Sequence, residues 1–166
     1  MKQLSSHAPA RLAVTGLLAL GLSGGVTVVT ATDASAAAPV ASAAKVTTGF
    51  TARQGVQVVG VASTRKGSPY RWGGNGPRAF DCSGLTKWSF ARVGKNIPRT
   101  AHAQWQASRK ITRAQARPGD LVFYGSGYKY HVGIYAGNGK MWHSPRRGDV
   151  VKLANVRAGA SYGRVR

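Results

Sequence analysis

The apolar pattern of this chain changes its period once, at Arg117-Pro118-Gly119-Asp120, and that change restricts the fold more than any other feature. Upstream of it the spacing is helical. Val58, Val59, Val61 and Ala62 mark a helix between Gln54 and Thr64, ended near Gly67 and Pro69. Leu85, Trp88, Ser89, Arg92 and Val93 mark a second, with Asp81 as its N-cap and Gly94 as its stop. Thr100 caps a third, short helix running to Ser108. Downstream, short β-type runs take over at Leu121 to Tyr124, His131 to Tyr135, Lys140 to Ser144, Val150 to Leu153 and Tyr162 to Val165. Helices precede strands instead of alternating with them, so an α+β fold is expected, with N-terminal helices packed on a small antiparallel sheet. Between the first two helices, Tyr70 to Pro77 is a loop by its glycine and proline content, and it matches neither glycine pattern that cradles phosphates.

The chain divides into three stretches. Residues 1–36 read as a secretory signal: Lys2 and Arg11, an apolar run broken by glycines, then Ala34-Ser35-Ala36 as a small-residue cleavage site. Residues 37–52, rich in Ala, Ser, Thr and Val without a period, read as a flexible linker, and residues 53–166 as one folded domain. No stable membrane anchor is expected, since the run is broken and a lipid anchor would need a cysteine at the cleavage site. A secreted, monomeric protein follows. Its charge is extreme: 24 basic against 4 acidic side chains give +20, and loss of residues 1–36 leaves +19 with no glutamate. Such a chain is drawn to polyanions. Export favours anionic wall polymers over nucleic acid as the partner.

Cys82 is the sole cysteine, within Phe80-Asp81-Cys82-Ser83-Gly84-Leu85. An exported protein with one cysteine has no internal disulfide partner, which leaves a reactive thiol as the favoured reading. In the first turn of the helix that Asp81 caps, unpaired backbone N–H groups and the dipole favour a thiolate. Three histidines lie beyond residue 36. His102 sits in a polar helix and reads as a solvated surface residue. His131 opens His131-Val132-Gly133-Ile134-Tyr135, where alternation puts it on the face opposite Val132 and Ile134. His143 lies on the next run. A two-residue Asn138-Gly139 turn would pair 134 with 143 and set the rings on opposite faces; an odd-length loop or an equivalent bulge would pair 133 with 143 and bring them together. The second arrangement is expected, giving a cysteine nucleophile, His131 as base and His143 as the group that orients it. No Cys-x-x-Cys or His-x-x-x-His spacing exists, so neither a metal nor another cofactor is expected.

Five segments in order, Pro69-Tyr70-Arg71-Trp72-Gly73-Gly74, Phe80 to Leu85, Pro98-Arg99-Thr100, Pro118 to Phe123 and His131 to Tyr135, resemble the NlpC family of bacterial cell-wall cysteine peptidases. The resemblance runs from about Val56 to about Leu153. It implies a papain-like α+β fold and hydrolysis of the γ-D-glutamyl to diamino acid bond in peptidoglycan stem peptides, a D,L-endopeptidase activity. By motif, Cys82 matches the nucleophile, His131 the base, His143 the third polar position and Tyr70 the tyrosine near the oxyanion. Asp81 and Ser83 match residues that hold the free amine of the stem peptide in some members. A cell-wall amidase or acyltransferase on the same Cys-His site, or a non-catalytic basic wall-binding protein, are the alternatives.

Overall fold

The structure, a computed structural model, describes residues 49–166. The expected signal and most of the expected linker lie outside them. The end of that linker does not behave as one: Phe50 is buried in the core and packs at a tilt against Phe90, and Thr51 caps the first helix. The folded part therefore begins before residue 53, because an aromatic anchor and a cap precede the first helical turn.

Helix α1 (Ala52–Ser63) starts with a reciprocal capping box between Thr51 and Gln54 and buries Val58 and Ala62. Helix α2 (Cys82–Ala91) is capped by Asp81, and α3 (Ala101–Ala107) by Thr100, as their sequences predict. The strands are β1 (Arg109–Ile111), β2 (Leu121–Tyr124), β3 (His131–Gly137), β4 (Lys140–His143), β5 (Lys152–Asn155) and β6 (Ser161–Arg164). They form one sheet in the order β1-β6-β2-β3-β4-β5, and every pairing is antiparallel. The α+β expectation holds. β1 was not expected, since Arg109 and Lys110 offer no alternation; it is an edge strand held by backbone pairing to β6. The fifth strand lies two residues later than expected, because Val151 exchanges backbone bonds with Gly67 and Ser68 and Val150 is bridged to Pro69 instead.

Alternation along the strands separates two apolar faces. Leu121, Phe123, Val132, Ile134 and Trp142 face the helices and close a core with Leu85, Phe90 and Val58; Val122, Tyr124, Met141 and Tyr162 face the other way. Each fully buried Leu, Phe or Val in the first group contributes about 1.5–3 kcal/mol by leaving water. At the turn where the periodicity changes, buried Asp120 accepts two hydrogen bonds from the Arg164 guanidinium at 2.7 and 2.8 Å and one from the Arg117 amide, tying the turn to β6.

The β3–β4 hairpin resolves the parity question by using both devices. Asn138 and Gly139 form a two-residue turn with φ of 51° and 68°, the left-handed pair a type I′ turn requires, and Gly137 pairs with Lys140. The register then shifts between Tyr135 and Gly137, so that Ala136 is the extra residue of a bulge and Ile134 pairs with Trp142. Continuing that frame sets Gly133 opposite His143. The bulge, not an odd loop, returns His143 to the face of His131.

Candidate active site

His131 opens β3 and His143 closes β4, so in an antiparallel pair both lie at one end of the sheet. Their rings meet there, His131 Nε2 to His143 Nδ1 at 3.0 Å and at 81° to each other. Gly133 makes room: a Cβ on it would come within 2.9 Å of the Met141 sulfur, 3.0 Å of the Trp142 carbonyl oxygen and 3.3 Å of the His143 Cβ. Because Nε2 of His131 is engaged, Nδ1 is the nitrogen left for a reaction partner. Burial is the main cause that pushes both imidazoles down to about 4, with His143 and Arg157 adding to it for His131, and Lys152 for His143. Both rings are therefore neutral at pH 7.

Cys82 is the first residue of α2, and the tip of that helix is built to close tolerances. Asp81 accepts from the amides of Gly84 at 2.6 Å and Gly73 at 3.0 Å, from the Ser83 hydroxyl at 3.2 Å, and from both Arg99 terminal nitrogens at 3.0 and 2.5 Å. The Ser83 hydroxyl lies between Asp81, to which it donates, and Arg99, which donates to it at 3.0 Å. These contacts hold the helix tip in place, with Asp81 and Ser83 both lining the groove. The carbonyl of Gly74 closes the same tip, accepting from the Asp81 amide at 2.9 Å.

The backbone amides of Val132 and Ser83 favour the anionic form of the Cys82 sulfur. The first of these belongs to the residue next to His131, so the helix tip abuts the start of β3. The expected thiolate is not the resting state, however. Burial raises the thiol above its ordinary value and the charge of Asp81 adds to this, while the two amides only partly offset them. At rest the groove holds a protonated thiol and neutral imidazoles.

Cys82, His131 and His143 line one groove of about 950 Å3, together with Tyr70 and Arg99. Burial and the neighbouring Cys82 and Asp81 raise the Tyr70 hydroxyl, which keeps it a hydrogen-bond donor, and its amide is anchored to the Asp149 carbonyl at 2.8 Å. Tyr128 and Tyr130, exposed on the β2–β3 loop, form part of the rim. His102 is not a free surface residue: its Nδ1 accepts from the Lys129 amide at 3.3 Å and its ring stacks on Tyr128 at 4.7 Å, fixing that loop. Sequence reasoning passed over Arg99, although it lies in Pro98-Arg99-Thr100, and over Arg157, which no motif marks among 24 basic residues. Among the described residues no three His, Cys, Asp or Glu side chains gather as a metal would need, and no helix is long and apolar enough to cross a membrane.

The chain is similar to known proteins. The chain is 49% identical over 109 residues to a protein of Listeria innocua described as probable endopeptidase p60, covering 64% of this chain and 22% of that one. It is 44% identical over 112 residues to the bifunctional muramidase/DL-endopeptidase CwlT of Bacillus subtilis, covering 61% and 33%. The chain thus spans about a fifth to a third of the length of these relatives. The crystal structure of the NlpC/p60 domain of the peptidoglycan hydrolase SagA superposes with a TM-score of 0.63 at 38% identity, covering 68% of this chain and 98% of that domain. The helices and sheet described above therefore form the papain-like α+β core of such a domain. The NlpC/P60 family model itself matches residues 67–165, more than half the chain and most of its described part, and the chain belongs to the NlpC/P60 family.

Proposed function

We propose that the chain is a secreted cysteine endopeptidase of the bacterial cell wall, hydrolysing the γ-D-glutamyl to diamino acid amide of peptidoglycan stem peptides. The observation that carries this reading is a helix-tip thiol and a directly bonded imidazole pair lining one groove. Relatives named endopeptidase and DL-endopeptidase support the substrate class. Export by the residue 1–36 signal and activity as a monomer belong to the same reading.

For His131 to act as base its own proton sits on Nε2, donated to His143 Nδ1, leaving the Nδ1 lone pair for the thiol. As Sγ attacks the amide carbon, its proton passes to Nδ1, and the C–O double bond opens to an oxyanion. The Cys82 amide, without an intrahelical acceptor in the first turn, and the Tyr70 hydroxyl are the donors for that oxyanion. The C–N bond then breaks, the departing amine taking the proton from the imidazolium, and a thioester remains on Cys82. Water, giving its proton to the same nitrogen, attacks the thioester and frees the acid and the thiol. His143 stabilises the transient imidazolium through the 3.0 Å bond. Asp81, Ser83 and Arg99 position the tip.

Mass spectrometry of purified peptidoglycan treated with the protein tests the reaction. Fragments ending in γ-D-glutamate, with a new free amine on the diamino acid, are expected. Peptide-free muramoyl sugar would instead identify an amidase, and no new fragments would leave a non-catalytic wall-binding protein.

A further inference from the structure

The groove carries more positive charge than its own acids neutralise. Asp81 is held by Arg99 and Asp149 by Lys152 at 2.7 Å. Lys129 is buried and committed to Ser161 Oγ at 3.0 Å and to carbonyls of its own loop. Among the described residues, Arg146 and Arg157 are then the groove's arginines without an ion pair. Arg146 still has Asp149 in its field. Arg157 lies elsewhere: its amide donates to the Tyr124 hydroxyl at 3.0 Å, its guanidinium rests over the Tyr124 ring at 4.9 Å, and Tyr124 in turn flanks His131 with ring centres 6.0 Å apart.

An unpaired guanidinium beside these rings is unfavourable for the proposed chemistry. Its charge opposes protonation of both His131 and His143, yet acyl transfer requires His131 to become an imidazolium. An anion from the substrate removes that conflict. We propose that Arg157 is a specificity-determining residue that receives a carboxylate of the peptide substrate, so that the groove selects stem peptides with a free carboxylate near the cleaved amide over those in which it is amidated. This rests on the peptidase reading of the groove. The bound carboxylate neutralises Arg157 and makes His131 a better base in the complex than in the free protein. The other groups near the imidazole pair, Cys82 from α2, Tyr124 from β2, Lys129 before β3, Asp149 before β5 and Lys152 on it, are the same with either substrate.

Two pairs of synthetic muropeptides test it, one pair differing by a free acid or an amide on the γ-linked glutamate, the other by the same change on the diamino acid. The wild type is expected to favour the free acid of at least one pair by about tenfold or more in kcat/KM, the size of a charge-assisted hydrogen bond. With that substrate the acid limb of kcat lies at higher pH than the limb of kcat/KM; with the amide the two coincide. Arg157→Gln brings the preference towards one, and Arg157→Lys retains part of it; thermal melts of both check the fold. Binding of the same peptides to Cys82→Ala, by calorimetry, reads the preference without chemistry. No cleavage of any peptide, with free acids still bound more tightly through Arg157, would remove the endopeptidase and leave the carboxylate site. Equal binding and equal cleavage within both pairs, or a preference that survives Arg157→Gln, would overturn the inference.

Discussion

At the scale of single residues, the competition at Cys82 is between a helix tip that favours an anion and burial that opposes one. Burial prevails, and the imidazoles are held neutral by the same cause. Alkylation of Cys82 by iodoacetamide should therefore be slow at pH 7 and climb only towards alkaline pH; a rate already level between pH 6 and 7 would mean a preformed thiolate-imidazolium pair. The imidazoles also link stability to pH. Unfolded, they take up protons near the ordinary 6.5, and folded only near about 4, so between those values the unfolded chain binds more protons and stability falls as pH falls. Above pH 6.5 this contribution is constant. Melting temperatures should drop from pH 7 to pH 4.5, less steeply in His143→Gln, which has one fewer buried imidazole. The residue types of this site were legible because Cys82 and His131 stand in recognisable segments. The protonation state was not, since it depends on how deeply the strands bury both groups.

At the scale of elements, the site depends on a close approach and on a bulge. A Cβ on Gly84 would sit 1.9 Å from the Gly74 carbonyl oxygen, backbone that cannot move without releasing the Asp81 amide. Gly84→Ala is expected to cost about 2–4 kcal/mol in denaturant unfolding and to lower activity further by lifting Cys82 away from β3. An unchanged midpoint would mean that the tip has slack. The caps at Asp81 and Thr100 and the bounds of β2 follow directly from sequence because each rests on local chemistry. The Asp81–Arg99 pair does not, being 18 residues apart and fixed only by folding. Asn138-Gly139 gave the turn correctly. The bulge at Ala136, which decides whether the histidines share a face, leaves no mark in the residues themselves.

At the scale of the whole molecule, the dominant property is charge. With +20 overall and two unpaired arginines in the groove, association with an anionic wall should be electrostatic, and such attraction weakens as the screening length shortens from about 10 Å at 0.1 M salt to about 3 Å at 1 M. Retention of Cys82→Ala on isolated walls should fall steeply over that range; retention indifferent to salt would assign binding to uncharged contacts. The chemistry rests on one sulfur and one ring. The most direct test compares peptidoglycan digests by the wild type and by folded Cys82→Ala, followed by mass spectrometry. Stem-peptide fragments ending in γ-D-glutamate should come from the wild type alone, and the same fragments released by Cys82→Ala at a similar rate would contradict the account.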